Sequence, residues 1–109
     1  MDARDASTLL PLIAFRHSII EPNVEAGFER VQAIFGKPLE AAAFHDALAS
    51  CLRDALLREP VRLPEGSLQC HWHLELTPKG VETVRNMLRE RAMTADQLLE
   101  SLRGRGKAA

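Results

Sequence analysis

The sequence predicts a mainly α fold with a small β-hairpin, about five helices and two strands, and three observations carry that prediction. Apolar residues recur at helical spacing over most of the 109-residue chain. One stretch, from Leu68 to Leu76, alternates instead with period two. Leu68, Cys70, Trp72, Leu74 and Leu76 are apolar, and Gln69, His71, His73 and Glu75 are polar, as in a strand with one buried face. Ahead of it, Pro64-Glu65-Gly66-Ser67 is turn chemistry that joins it to a short strand at Pro60-Val61-Arg62-Leu63.

The first helix is expected from Thr8 to about Ile20, with Ser7 as its cap and Pro11 in its opening turn. Leu9, Leu10, Leu12, Ile13, Phe15, Ile19 and Ile20 make it apolar nearly all round, so it must be covered on more than one side. Either a central position or burial against a second copy meets that need. Glu21-Pro22-Asn23 breaks the helix, and Asn23 caps the next, where Val24, Phe28, Val31 and Phe35 recur before Gly36 stops it. Pro38 opens a third helix that reads as continuous to about Leu57, with Phe44, Ala47, Leu48, Cys51, Leu52, Ala55 and Leu56 on one face. After the hairpin, Thr77 offers a hydroxyl N-cap and Pro78 sits where a missing N–H is harmless, opening a fourth helix with Val81, Val84 and Leu88 inward. Thr94-x-x-Gln97 is a capping box that announces a short fifth helix bearing Leu98, Leu99 and Leu102.

A chain of this length with 46% hydrophobic and 27% charged residues is one domain, able to bury roughly two-thirds of its unfolded surface. The reading is a single domain over residues 7–103, between a flexible N-terminus (1–6) and a flexible basic tail (104–109). Net charge is −1 and the pI about 6.4, so bulk electrostatics draw it neither to nucleic acid nor to anionic membrane. The apolar run from Leu9 to Phe15 is interrupted by Pro11, is far shorter than the roughly 20 residues of a membrane span, and makes a poor secretory signal. A cytoplasmic protein without membrane contact is expected. Cys51 and Cys70 fall on apolar faces and read as small buried hydrophobes rather than disulfide or metal partners, and their spacing is not that of a zinc motif.

The run Leu52-Arg53-Asp54-Ala55-Leu56-Leu57-Arg58, followed by a turn, a strand and Leu74-Glu75-Leu76-Thr77-Pro78-Lys79-Gly80, resembles winged-helix regulators of the MarR or PadR type over about residues 44–88. The resemblance implies a winged-helix-like α+β fold that binds double-stranded DNA. By that resemblance the third helix lies in the major groove with Ser50 and Arg53 near base edges, and Arg58 and Arg62 by the wing contact phosphates. Two features differ from the family pattern. The segment from Pro38 to Leu57 reads as one helix where a helix-turn-helix has two, unless Gly36-Lys37-Pro38 is the turn. The wing tip, Pro64-Glu65-Gly66, is acidic. Arg103, Arg105 and Lys107 would add only non-specific attraction.

His71 and His73 project from the same strand face, with Gln69 and Glu75 alongside, yet a zinc site needs a third protein ligand that the sequence does not place. The reading is a polar sheet face or partner surface, with no metal and no cofactor. No glycine-rich phosphate loop, nucleophile in a recognisable setting or catalytic carboxylate pair is present, so no enzymatic activity is expected. Two functions stand: a small transcriptional regulator binding DNA as a homodimer, or a non-enzymatic module of similar fold that holds a protein partner. Dimerisation is expected in both, from the surplus of apolar surface on the first and last helices and from the unpaired length of the long strand around Trp72 to Leu76.

Overall fold

The structure is a computed structural model that describes residues 3–58 and 72–105. In chain order the elements are α1 (Ala3–Arg16), β1 (Ile19–Glu21), α2 (Val24–Phe35), α3 (Ala41–Arg53), β2 (Trp72–Leu74), α4 (Pro78–Arg91) and α5 (Ala95–Arg105). The fold is mainly α, with five helices and a two-stranded antiparallel sheet among the described residues.

Helix α1 is the centre of the core. Ala6, Leu9, Leu10, Leu12 and Ile13 are all buried, with α3 packed most extensively against α1 and with α2, α4 and α5 also in contact. Of the two explanations for an all-round apolar helix, the central position holds. The helix also begins inside the segment expected to be a flexible N-terminus, so Ser7 is not its cap and Pro11 falls well within it. A proline there has no N–H for the carbonyl four residues back. The Ser7 carbonyl accepts instead from the Cys51 thiol of α3, at 3.5 Å.

At its other end α1 stops at Arg16, short of the expected Ile20. Ile19 and Ile20 leave the helix to form β1, which pairs antiparallel with β2 in the register Ile19 to Leu74, Ile20 to His73 and Glu21 to Trp72. β-branched residues suit a pleated strand as well as an apolar helix face, so the run of isoleucines did not distinguish the two. Ile19, Trp72 and Leu74 point into the core, while Ile20 is 55% exposed. The alternation expected for this strand therefore holds from Trp72 to Glu75, but among the described residues its partner is β1, and the strand itself spans Trp72–Leu74, with an isolated bridge from Leu76 to Leu57. The expected strand at residues 60–63, the turn at 64–67 and the first part of the long strand lie outside the described residues.

Helix α2 forms as expected, and α3 is shorter at both ends than the helix expected from Pro38 to about Leu57. Asn23 caps α2 by accepting from the Ala26 N–H at 2.9 Å, and Gly36 ends it in the left-handed conformation, φ 80°. The chain then runs through residues 36–40, with the Leu39 N–H donating to the Gln32 side chain at 2.9 Å, before α3 begins at Ala41. That bond and the burial of Leu39 hold residues 36–40 out of the helix, which is why Pro38 does not open it. α3 ends at Arg53 because Ala55 takes a left-handed φ of 58°, letting the Leu56 N–H return to the Cys51 carbonyl at 2.9 Å.

Thr77 and Pro78 open α4 as expected, the Thr77 hydroxyl accepting from the Gly80 N–H at 3.0 Å. The capping box of α5 is also formed: the Thr94 N–H donates to Gln97 Oε1 at 2.9 Å and the Gln97 N–H to Thr94 Oγ1 at 3.1 Å. α5 buries Leu98 and Leu102 against the core and runs on through Gly104 and Arg105, inside the segment expected to be a tail. Both features that pointed to a second copy, the apolar helices and the extra strand length, are thus met by neighbours within one chain.

Candidate nucleic-acid interface

The outward face of α3 consists of Ala42, His45, Asp46, Ala49 and Arg53, all exposed and spaced so that they share one side of the helix. Four of the five are no longer than a histidine, so a surface could approach this face closely. Ser50 lies at its border, half-buried, and its carbonyl accepts from the Asp54 N–H at 3.0 Å. His45 is exposed, with its ring edge-on to Phe44 at 5.4 Å.

The C-terminal end of α3 is held by the segment that starts α4. The Thr77 hydroxyl donates to the Ala55 carbonyl, the Thr77 N–H to the Leu56 carbonyl at 3.1 Å, and Lys79 Nζ to the Asp54 carbonyl at 2.9 Å. Gly80 packs beneath them, where a Cβ would sit 2.1 Å from the Leu56 carbonyl oxygen. The Leu-Thr-Pro-x-Gly segment therefore acts as a clamp on the last turn of α3. Next to this clamp, the Arg58 N–H donates to the Glu75 carbonyl at 2.9 Å, which ties the chain leaving α3 to the end of β2.

Of the four residues expected at DNA, Arg53 is exposed at the last residue of α3, Arg58 is exposed on the chain that leaves it, Ser50 lies half-buried one turn before Arg53, and Arg62 is outside the described residues. Lys79 is brought to the same end of α3 by its bond to the Asp54 carbonyl. In the sequence it had no role beyond the unspecified position of a motif, because its place depends on how the start of α4 meets the end of α3. The same surface carries Asp46, Asp54 and Glu75, all exposed, so acids and bases are evenly matched there. Arg103, expected to add only non-specific attraction, is engaged elsewhere: it donates to the Ile34 carbonyl at 3.1 Å and to the Phe35 carbonyl at the end of α2.

His73 lies on the outer side of β2, half-buried, between two hollows. One, of about 360 Å³, is lined by Phe15, Arg16, His17, Ile20, His73 and Glu75; the other, of about 440 Å³, by Leu52, Leu57, Arg58, His73, Glu75 and Thr77. His17 thus shares a hollow with His73, a proximity that sequence spacing had no means of giving. Among the described residues no group of three or more histidines, cysteines or acids is placed to hold a metal ion, and His71 lies outside them. Cys51 is inert in this setting: burial, with Asp54 adding a smaller repulsion, pushes its thiol up to about 11. No helix among the described residues is long and apolar enough to cross a membrane.

Comparison of the chain with protein-family models, curated proteins and solved structures finds no match.

Proposed function

We propose that this protein is a small winged-helix-like regulator of transcription that binds double-stranded DNA through α3. The observation that carries the reading is the pair α2 and α3, joined through residues 36–40, with the second helix presenting an unpacked outer face of mostly short side chains. The order α1, β1, α2, α3, then a strand paired back to β1, is compatible with such a domain. In this reading Ala42, His45 and Ala49 lie toward the groove, Ser50 and Arg53 reach base edges, and Arg58 and Lys79 contact phosphates, with Arg62 following on the chain beyond. The small number of cations predicts a shallow salt dependence, because few counterions are released.

The test is fluorescence anisotropy of labelled duplexes, including DNA flanking the protein's own gene, at several salt concentrations, with wild type and an Arg53→Ala/Arg58→Ala double variant. Binding that weakens at least tenfold in the double variant, with unchanged far-UV circular dichroism, supports the reading. Equal affinity of the two proteins, or no binding of either at low salt, sinks it.

A second reading is favoured by the even charge balance at the end of α3 and by Ile20, a large apolar side chain left 55% exposed beside His73. Under it the same domain is a non-enzymatic module that holds a protein partner across the outer side of β1 and β2. An Ile20→Glu variant separates the two, since it would abolish capture of such a partner and leave DNA affinity unchanged. Homodimerisation belongs to either reading, and its check is sedimentation at micromolar concentration.

A further inference from the structure

A helix ends in carbonyl groups without internal partners and with a partial negative charge, so cations and donors placed there stabilise it. In this chain α2 and α5 meet that need for each other. Arg103, in the last turn of α5, donates through its guanidinium to the Ile34 and Phe35 carbonyls, the last two of α2. Lys37, just past the end of α2, donates back through Nζ to the Arg103 carbonyl in α5. Glu100, one turn earlier on α5, accepts from Arg103 at 2.7 Å and so fixes the fork of the guanidinium. The end of α2 is capped by a cation of α5, and the end of α5 receives a cation from the link that follows α2, across more than sixty residues of sequence.

The position of this exchange gives it a consequence beyond stability. Ile34 and Phe35 lead directly into residues 36–40, which connect α2 to α3. Gly36 there has a left-handed φ, and a Cβ on it would sit 3.5 Å from Arg103 Nε. Leu39, three residues on, is buried and anchored to Gln32. Arg103 thus holds the α2 side of the link whose geometry determines where α3 lies, and Lys37, within the link, ties it to α5.

We propose that Arg103 and Lys37 are positioning residues for α3, and that α5 is a strap whose docking sets the geometry of the α2–α3 link. This rests on the reading of α3 as the DNA-contacting helix only for its effect on binding; the effect on the link is independent of it.

The experiment measures backbone hydrogen exchange and duplex affinity together in wild type, Arg103→Ala, Arg103→Lys and Lys37→Ala. Loss of one such cap corresponds to exchange roughly 5–30-fold faster where opening is local. The expected result is that acceleration in residues 36–44 of Arg103→Ala, with protection unchanged in the core of α1 and in α4. Arg103→Lys, which keeps the charge but has no fork to span two carbonyls, falls between wild type and alanine. Lys37→Ala, which leaves Arg103 intact, accelerates exchange in the same link and at the end of α5.

Unchanged exchange in residues 36–44 in both alanine variants overturns the proposal. So does acceleration spread evenly over the whole chain, which marks a purely structural contact. If wild type binds no duplex, the DNA reading fails while the exchange data still decide the strap. If wild type binds and the variants lose the link's protection but keep full affinity, the positioning of α3 is refuted.

Discussion

The thiol of Cys51 on α3 donates to the backbone carbonyl of Ser7 on α1 at 3.5 Å. That carbonyl is the one Pro11 leaves without its usual helical partner, because proline has no N–H to offer four residues on. A buried, unpaired carbonyl is destabilising by about 1–3 kcal/mol, whereas a satisfied one is not. The cysteine therefore does more than fill space: it allows a proline inside the central helix, and it joins α1 to α3 at the contact that dominates the core.

This dependence gives a coupling that can be measured. Cys51→Ala leaves the Ser7 carbonyl unpaired, and the expected loss is about 1–2 kcal/mol. In a Pro11→Ala background the new N–H at position 11 takes over that carbonyl, so the same cysteine change is expected to cost less. Urea unfolding of the four proteins in a double-mutant cycle should give a coupling of at least about 0.5 kcal/mol. Strict additivity would show that the thiol and the proline are unrelated.

Gly27 in α2 faces the ring of Trp72 in β2, and a Cβ at residue 27 would lie 2.2 Å from Trp72 Cε3. The indole is 7% exposed and also lies 6.2 Å from the Phe44 ring, so it has little room to yield. Gly27→Ala is expected to destabilise by about 1–3 kcal/mol despite the better helix propensity of alanine. Trp72 is the only tryptophan of the chain, which makes its emission a direct report. A red shift and greater quenching by acrylamide are expected in the variant, and an unaltered spectrum with unaltered stability would contradict the close approach.

What the sequence made legible and what it hid divide along a physical line. Asn23, Thr77 and the Thr94–Gln97 pair act on backbone groups within three residues, so their caps can be read from spacing alone. The inward and outward alternation of Trp72, His73, Leu74 and Glu75 is likewise local. The end of α1 was hidden because Ile19 and Ile20 extend an apolar helical run as readily as they form a strand, and their partners Leu74 and His73 lie more than fifty residues away. The end of α3 was hidden for a similar reason: Ala55 is a good helix former, and its left-handed φ is sustained by Thr77, Leu56 and Lys79 acting from outside the helix. At the candidate interface Arg53 and Arg58 were legible as exposed cations, whereas Lys79 enters only through tertiary packing, and Arg103, read as a source of non-specific attraction, serves α2.

The clamp on the end of α3 predicts different outcomes for two conservative changes at one residue. Thr77→Ser keeps the hydroxyl that accepts from Gly80 and donates to Ala55, and is expected to fall within about 0.5 kcal/mol of wild type. Thr77→Val keeps the shape and loses both bonds, with an expected loss of about 1–3 kcal/mol. For a domain near this size that is a fall in Tm of at least about 4 °C. Equal melting of the serine and valine variants would remove the hydroxyl from the account.

Stability at alkaline pH follows from the same buried thiol that opened the α1 helix to Pro11. Burial pushes the Cys51 thiol from 9.0 up to about 11 in the folded chain, with Asp54 adding a smaller repulsion, so the folded state holds its proton more tightly than the unfolded state does. The unfolded chain releases that proton as pH passes about 9, and the folded chain only near about 11. The contribution is therefore fully present below pH 9.0 and is lost as pH rises through about 11. In a Cys70→Ser background, which leaves one thiol, the stability advantage of Cys51 over Cys51→Ala should be constant up to about pH 8.5 and shrink steadily above pH 9.0. At pH 8 the folded thiolate is roughly 100-fold scarcer than in the unfolded chain, so a disulfide reagent should react with Cys51 at the rate of unfolding or of local opening rather than at that of an exposed thiol. An advantage that stays constant to pH 11, together with fast labelling of the native protein, would place the thiol in solvent and break its tie to Ser7.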